Sequence, residues 1–334
     1  MRRRAADEAD ATAMEVGRRF LPGVSAELVA PLMSLVVIVL MFAATEALAP
    51  GFVSLRNVMR LLQLAGFLGI VAIGETLVIL TGGIDLSIAW VVTGAGCVFT
   101  RVTNGQSAML AAGLAAALGV GFVAGLVNGI GISKFRISPI VMTLGMNNIM
   151  QGLTLLYTNG TPTGGTPPLV KLAATGYAGP IPVLVIFWAA LSLIVIAALR
   201  LTRAGRRLIG FGESPLVSFL SGVRKDRVII ATYTLSGLAA ALTGLLYAGF
   251  SGASFLGMGD QFVLPSIAAV VLGGTSIFGG SGGYGGTIIG AFFLTVLTTM
   301  LAIVNLSAGV RDIVYGLVII AALLLGRFSL RAAR

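Results

Sequence analysis

The sequence predicts an all-α, polytopic integral membrane protein, because its composition and its hydropathy pattern are both those of a membrane chain. Of its 334 residues, 57% are hydrophobic and only 10% are charged, and the mean hydropathy is +1.02. A soluble domain carries about a quarter charged residues, so this chain has too few to cover a globular surface. Its charges are also clustered, with long neutral tracts between them. The composition therefore excludes an ordinary soluble enzyme.

Ten apolar runs are candidates for transmembrane helices, each of which needs about 20 apolar residues to cross a bilayer. The runs cover 29–49, 58–81, 86–103, 107–131, 137–157, 181–199, 228–250, 262–278, 284–306 and 312–326. The run at 262–278 departs most from a regular helix, because it contains Pro265 and the pair Gly273–Gly274. We therefore expect about ten transmembrane helices with Gly-rich interruptions.

The basic residues predict the orientation of these helices. With the N-terminus in the cytoplasm, 17 of the 22 basic residues fall in inside segments and the other 5 fall outside. Cytoplasmic segments of membrane proteins carry such an excess of Lys and Arg. The net charge of +10 then reflects membrane topology and attraction to anionic lipids of the inner leaflet, rather than binding to nucleic acid. An even number of helices places both termini in the cytoplasm.

The same pattern divides the chain into a cytoplasmic tail (1–27), a transmembrane domain (28–326) and a second cytoplasmic tail (327–334). The first apolar run is interpreted as a retained helix rather than a cleaved signal, because the polar segment before it is too long and too mixed in charge. An external loop at 158–182 is rich in Pro and Gly and is expected to be ordered but non-helical. It is either a simple connector or a docking surface for a partner.

The longest interior cytoplasmic loop, 201–227, is basic at both ends and apolar in its middle. The middle of the loop carries five large apolar residues: Phe211, Leu216, Val217, Phe219 and Leu220. Leu216, Val217 and Leu220 have the spacing i, i+1, i+4, so a short helix would present them on one face. Exposed loops seldom carry such a face unless a partner covers it. The loop is therefore predicted to dock another protein.

Several kinds of chemistry are excluded by residues that the sequence lacks. There is no His, and Cys97 is the single cysteine, which excludes histidine catalysis and thiolate metal clusters. None of the three lysines, Lys134, Lys171 and Lys225, belongs to a GxxxxGK[ST] phosphate loop. No cofactor or metal is expected, and any ATP used must bind to another chain. A membrane-embedded enzyme is disfavoured because acids, bases and metal ligands are not clustered.

Two Gly-rich segments interrupt sequence at membrane depth, and we call them the first break (81–88) and the second break (272–283). Non-helical backbone at this depth is tolerated only inside protein or beside a water-filled cavity. Gly-interrupted segments in both halves of a transporter indicate a substrate path. Tight turns, or close helix packing through small residues, explain the same spacing equally well.

The motifs around these breaks resemble those of a known family. The segments are Gly-Gly-Ile-Asp-Leu-Ser at 82–87, Ala-Ala-Val-Val-Leu-Gly-Gly-Thr-Ser-Ile-Phe-Gly-Gly at 268–280, and shorter segments at 125–129, 143–146, 220–223 and 286–291. Over roughly 30–326, the chain resembles the permease subunits of bacterial ATP-binding-cassette importers for ribose, xylose, arabinose, galactose and related sugars. It departs from the family at Ser214–Phe219, where an Asn-x-Glu-Ala-Ala-Arg pattern is usual; Glu213 is the nearest carboxylate.

The resemblance implies a non-enzymatic permease of the bacterial inner membrane that translocates a monosaccharide, a ribose-type pentose or a hexose. It implies three partners: a separate ATP-binding subunit, a periplasmic or extracellular sugar-binding protein, and a second permease copy or paralogue. The alternative is an ion-coupled secondary transporter of a small polar solute, in which Glu75 would carry protons. Such a relay usually needs a chain of ionisable groups, and no His or Lys accompanies Glu75.

Two groups of candidate functional residues follow. Residues expected to line or gate the pathway are Glu75, Thr81, Gly82, Gly83, Asp85, Ser87, Asn128, Gly273, Gly274, Thr275, Ser276 and Phe278. Residues expected to couple to the ATP-binding subunit are Glu213, Leu216, Val217, Phe219, Leu220, Ser221 and Gly222. For Asp85, a structural helix cap is favoured over direct sugar contact. For Asn128, helix-to-helix hydrogen bonding is favoured over substrate contact.

Overall fold

The computed structural model describes residues 26–332, including the side chains of 34–307 and 309–321. This part of the chain forms thirteen α-helices and one short antiparallel hairpin. The helices are α1 (Ala26–Leu48), α2 (Leu55–Leu80), α3 (Ile88–Thr103), α4 (Leu110–Ser133), α5 (Pro139–Thr158), α6 (Pro168–Thr175), α7 (Val183–Leu201), α8 (Arg203–Glu213), α9 (Pro215–Leu220), α10 (Lys225–Ser251), α11 (Val263–Leu272), α12 (Tyr284–Ile303) and α13 (Ala308–Ala332). The predicted N-terminal tail lies outside the described residues except for its last two positions.

Each of the ten apolar runs coincides with a helix, namely α1–α5, α7 and α10–α13. Within the described residues, five stretches are long and apolar enough to cross a membrane: Leu55–Leu80, Ser107–Ser133, Val183–Leu201, Lys225–Ser251 and Tyr284–Ile303. Three apolar stretches are shorter: Ser34–Leu48, Ile88–Thr103 and Asp260–Leu272. The protein is therefore mostly helical, with several helices of membrane-spanning length.

The centre of the bundle is formed by α2 and α10. Helix α2 is buried on every side from Ala65 to its end at Leu80, and α10 packs against α2, α3 and α4. The contact between α4 and α10 depends on glycines four residues apart. A Cβ atom added at Gly125 would lie 2.8 Å from the Thr234 Cα atom, and one at Gly129 would lie 2.6 Å from the Ile230 Cα atom. Small residues at this spacing let two helix backbones touch.

The loop 158–182, which the sequence predicts to be external and non-helical, is partly helical. It contains α6 and the hairpin of β1 (Tyr177–Ala178) and β2 (Ile181–Pro182). Pro168 occupies the first turn of α6, where its missing N–H costs nothing, so proline marks a helix start here. The Gln63 Nε2 atom of α2 donates to the Ala174 carbonyl of α6 at 2.6 Å. The loop is thus tied to the bundle.

Most helix boundaries differ from the predicted runs by a few residues. Three of these differences lie at the Gly-rich breaks or at the end of the predicted transmembrane domain. Helix α11 ends at Leu272 rather than 278, because Gly274 adopts φ +84°, a conformation that only glycine adopts readily. Helix α3 begins at Ile88, two residues after the predicted start. Helix α13 continues to Ala332, past the predicted end of the transmembrane domain at 326.

Candidate functional site

Both Gly-rich breaks begin with the same backbone motif at the end of a helix. After α2, the Gly82 N–H donates to the Ile79 carbonyl at 2.9 Å and the Gly83 N–H to the Val78 carbonyl at 3.1 Å. After α11, Gly274 and Thr275 make the equivalent bonds to Val271 (3.0 Å) and Val270 (3.2 Å). This pair of bonds, with glycine at positive φ, is the Schellman motif. The sequence-predicted breaks are therefore specific helix ends rather than irregular loops.

The first break carries Asp85 into the protein interior, where only 1% of the residue is exposed. Its Oδ1 atom accepts hydrogen bonds from the Ser87 amide (3.0 Å) and the Ser87 hydroxyl (2.5 Å). Its Oδ2 atom accepts a bond of 2.7 Å from the Ser236 hydroxyl on α10. Asp85 therefore holds the turn that leads into α3 and ties it to α10, while α3 itself begins three residues later.

Glu75 and Asn128 join Asp85 in one sealed cluster, and both are fully buried. The Asp85 amide faces the Glu75 Oε1 atom at 3.4 Å, and the Asn128 Nδ2 atom donates to the Ser87 hydroxyl at 2.9 Å. Glu75 Oε2, Asn128 Oδ1 and the Tyr233 hydroxyl have no hydrogen-bond partner. We call Glu75, Asp85, Ser87, Asn128, Tyr233 and Ser236 the polar cluster. It joins α2, the first break, α4 and α10.

Of the other predicted residues in the first break, Thr81 is half-buried, Gly82 is exposed and Gly83 is buried. In the second break, Gly273 and Thr275 are buried, Gly274 and Ser276 are half-buried, and Phe278 is 79% exposed. Thr275 accepts a bond from the Gly283 amide at 3.2 Å, and the Ser276 amide donates to the Ser281 carbonyl at 3.0 Å. These bonds fold the second break on itself, so it does not contribute to the polar cluster.

The two breaks meet each other and the end of α8 at a contact that we call the glycine junction, formed by Leu80, Gly82, Gly212, Gly279 and Gly280. The Gly280 amide donates to the Leu80 carbonyl at 3.1 Å. A Cβ atom added at Gly279 would lie 2.9 Å from the Gly82 nitrogen, and one added at Gly212 would lie 2.6 Å from the Gly280 nitrogen. The backbones touch because four of these five residues are glycines, and Leu80 takes part through its carbonyl group.

The loop 201–227, which the sequence predicts to be cytoplasmic, contains two short helices, α8 and α9. On α9, Leu216, Val217, Phe219 and Leu220 are 60–76% exposed, and Glu213, Ser221 and Gly222 are exposed beside them. Phe211 does not belong to this surface, in contrast to the sequence prediction. It is 4% exposed, because it packs in an apolar cluster with residues such as Ile132 and Ile229. We call Leu216, Val217, Phe219 and Leu220 the exposed apolar face.

Sequence reasoning missed two residues of the polar cluster, Tyr233 and Ser236. It also missed four residues of the glycine junction: Leu80, Gly212, Gly279 and Gly280. Tyr233 and Ser236 lie about 150 positions after Asp85, inside an apolar helix with no local motif. Their signal is a pair of hydroxyl side chains one turn apart within the run 228–250. For Gly212, the signal is the Gly-x-Gly sequence at 210–212 in an otherwise basic and apolar loop. Within the described residues, no three or more His, Cys, Asp or Glu side chains lie together as a group that could hold a metal ion.

Comparison with known proteins places the chain in a family. Residues 57–323 match the family described as branched-chain amino acid transport system / permease component. The chain is 35% identical over 296 residues to the ribose import permease protein RbsC of Escherichia coli (strain K12), covering 87% of this chain and 92% of that protein. It is 34% identical over 300 residues to RbsC of Bacillus subtilis (strain 168), covering 89% and 92%.

The chain is also similar to a relative with a different cargo in its name. It is 35% identical over 296 residues to the autoinducer 2 import system permease protein LsrC of Yersinia pseudotuberculosis serotype O:1b (strain IP 31758), covering 87% of this chain and 82% of that protein. No solved structure matches. These similarities confirm the resemblance to importer permeases that the sequence motifs indicated. The chain is an integral membrane protein that belongs to the family of branched-chain amino acid transport system permease components.

Proposed function

We propose that this protein is the permease subunit of an ATP-driven importer that carries a monosaccharide, a ribose-type pentose or a hexose, across the bacterial inner membrane. The observation that carries the proposal is the similarity to two ribose import permeases over 87% and 89% of this chain. The polar cluster fits this role, because it offers hydroxyl, amide and carboxyl groups rather than a nucleophile with its base. In this proposal, the protein moves the sugar without changing its covalent bonds.

The proposed topology has ten transmembrane helices within 28–326, and cytoplasmic tails at 1–27 and 327–334. A helix at every predicted run supports this number, and the excess of basic residues in the inside segments supports the orientation. The proposed topology places α8, α9 and the glycine junction on the cytoplasmic side. It places α6 and the hairpin on the outside, toward a periplasmic or extracellular sugar-binding protein.

The ATP-binding subunit is proposed to dock on the exposed apolar face of α9. Four large apolar side chains there are accessible to water in a loop whose flanks are basic. Covering them stabilises a complex by about 25 cal/mol per Å² of apolar surface removed from water. Because α8 connects α9 to the glycine junction, movement of the ATP-binding subunit would reach both breaks directly. This route would link ATP hydrolysis to opening of the path.

A second permease chain, identical or paralogous, is proposed to cover the outward face of α5. This face carries Val141, Gly145, Asn148 and Gly152, and all four are exposed. A polar side chain such as Asn148 is disfavoured against lipid, and an added Cβ at Gly145 or Gly152 would meet nothing within 4 Å. An apolar groove of about 730 Å³ lies beside this face, lined by residues of α3, α4 and α5. A partner helix would fill it and pair with Asn148.

The substrate assignment is tested by uptake in cells. A strain without its own ribose permease is given this chain with its ATP-binding subunit and sugar-binding protein, and uptake of labelled ribose, xylose and galactose is measured. We expect one of these sugars to accumulate, and accumulation to require all three proteins. Accumulation of none of them would contradict the assignment to a monosaccharide. The ion-coupled alternative is not favoured, because the relatives named above are import permeases of the same family.

A further inference from the structure

The polar cluster contains two carboxyl groups and no basic side chain. Glu75 and Asp85 are 0% and 1% exposed, and their carboxyl groups interact electrostatically. Among the residues whose side chains are described, no Lys or Arg acts on either carboxyl group. Two negative charges in a sealed, low-dielectric space repel each other strongly, and each also loses its hydration. The cluster therefore needs one positive charge that the described side chains do not supply.

The two carboxyl groups differ in the number of hydrogen bonds that they accept. Asp85 accepts three donors, from the Ser87 amide, the Ser87 hydroxyl and the Ser236 hydroxyl. A carboxylate with this many donors is stable as an anion. Glu75 accepts only the long contact of 3.4 Å from the Asp85 amide, and its Oε2 atom has no partner. Glu75 is thus the carboxyl group that still lacks a counter-charge.

Two further oxygen atoms in the cluster are buried and unpartnered. Asn128 is 0% exposed, and its amide is held in the cluster by the bond from Nδ2 to Ser87, which leaves Oδ1 free. The Tyr233 hydroxyl is also buried without a partner; it lies against Gly83 of the first break and interacts electrostatically with both carboxyl groups. Buried polar groups in native proteins nearly always have partners. The unpartnered oxygens of Glu75, Asn128 and Tyr233 therefore indicate a missing ligand.

We propose that the polar cluster binds one monovalent cation, H⁺ or Na⁺, at Glu75, and that this cation holds the first break closed against α4 and α10. The three atoms of the cluster that lack a partner are all oxygens, the ligand atoms that hard cations prefer. One positive charge leaves a single anion, which the three donors on Asp85 satisfy. A multivalent metal is not indicated, because within the described residues no three or more Asp, Glu, His or Cys side chains lie close enough together to hold one. The site goes beyond the proposed transport function and does not depend on which solute is carried.

Few other titratable or charged groups lie near Glu75. From α10 it faces Tyr233, and from the first break it faces Asp85. On α12, the Tyr284 hydroxyl is already engaged, since it donates to the Gly69 carbonyl at 2.7 Å and accepts a bond from Trp188 at 2.8 Å. The charged residues of α7, α8 and α10 are all exposed: Arg200, Arg203, Arg206, Arg207, Glu213, Lys225, Asp226 and Arg227. None of these faces the cluster.

The test measures thermal unfolding of the purified permease in lipid nanodiscs, in NaCl or in choline chloride of equal ionic strength, at pH 6 and pH 8. A ligand that binds only the folded state raises the melting temperature with its concentration. If the cation is Na⁺, the melting temperature rises with NaCl. If it is H⁺, the melting temperature falls from pH 6 to pH 8 in either salt, because the folded state then holds a proton that the unfolded state releases.

In both cases, Glu75→Gln is expected to abolish the dependence of the melting temperature on the cation. Asp312→Asn, which alters an exposed carboxyl group, is the control and should keep that dependence. If Glu75→Gln does not fold, Tyr233→Phe is the second variant, because it removes one hydroxyl of the cluster. We expect it to change several-fold the Na⁺ or H⁺ concentration at which the melting temperature rises. A wild-type protein whose melting temperature responds to neither Na⁺ nor pH would overturn the proposal. The same response in wild type, Glu75→Gln and Tyr233→Phe would also overturn it.

Discussion

The Gly280 amide donates a hydrogen bond of 3.1 Å to the Leu80 carbonyl, so the second break is tied directly to the last residue of α2. Gly212, near the end of α8, lies against the same carbonyl and the same amide. Three segments that are far apart in sequence therefore meet through backbone atoms alone. Since no flexible side chain lies between them, we expect a displacement of α8 to be transmitted to both breaks.

The first prediction concerns Gly212. A Cβ atom there would overlap the Leu80 carbonyl oxygen and lie 2.6 Å from the Gly280 nitrogen, and backbone atoms yield little. We expect Gly212→Ala to reduce ATP-dependent sugar uptake by about tenfold. Modest overpacking destabilises the state in which the backbones touch, and this shifts the equilibrium between transport states by about that factor. The ATP-binding subunit should still copurify with the variant.

Gly210→Ala is the matched control, because the only atom near its added Cβ is the Ser218 Oγ atom at 3.8 Å. Both substitutions lie on α8 and add the same methyl group. Equal uptake by the two variants would show that the glycine junction does not transmit coupling.

The second prediction concerns the exposed apolar face of α9. Leu216 and Leu220 are 69% and 76% exposed, so replacing both with Asp should leave the fold of the permease intact. The ATP-binding subunit should be lost on copurification, because buried unpaired charges in an interface are strongly unfavourable. Leu216→Met with Leu220→Met keeps the apolar surface and should retain the subunit. A double Asp variant that still copurifies with it would place the docking surface elsewhere.

The third prediction tests the contact between the first break and α10. A Cβ atom added at Gly83 would overlap the Tyr233 hydroxyl, so Gly83→Ala should destabilise the protein by about 1–3 kcal/mol. Removing that hydroxyl with Tyr233→Phe should relieve part of the loss in the double variant. A double-mutant cycle of unfolding free energies measures this relief. Strict additivity would contradict the contact.

Much of the fold follows from the sequence, because apolar runs specify where helices lie. The positions of both breaks also follow from it, since the paired glycines at 82–83 and 273–274 cannot continue a helix cheaply. The helix in the loop 158–182 could not be predicted from the sequence, because Pro168 is as compatible with a helix start as with a turn. The burial of Phe211 likewise depends on tertiary packing, which local pattern does not encode.

The polar cluster was predictable in part. Glu75, Asp85 and Asn128 are noticeable because acids and amides are costly in apolar helices, and Ser87 belongs to the same motif as Asp85. Their partners Tyr233 and Ser236 come from α10, and the pairing of α10 with the first break is a long-range contact that leaves no local sequence signal. Gly212 was hidden for the same reason, since its role appears only when α8 is placed against both breaks.

The fourth prediction concerns topology. Cys97 is 1% exposed, so the wild-type protein should resist a membrane-impermeant thiol reagent. Phe219→Cys, on α9, should be labelled only from the cytoplasmic side, and Lys171→Cys, on α6, only from the outside. Both positions are exposed in the fold, so accessibility depends only on the side of the membrane. Labelling from the opposite sides would invert the proposed orientation.

The most direct test of the proposed function measures uptake of labelled ribose into proteoliposomes that contain the permease with its ATP-binding subunit, in the presence of the sugar-binding protein. ATP is supplied on the side that exposes α9, with or without an uncoupler that dissipates ion gradients. The proposed function predicts uptake that requires ATP and the ATP-binding subunit and is unchanged by the uncoupler. Uptake that persists without that subunit and collapses with the uncoupler would contradict an ATP-driven importer and identify an ion-coupled transporter.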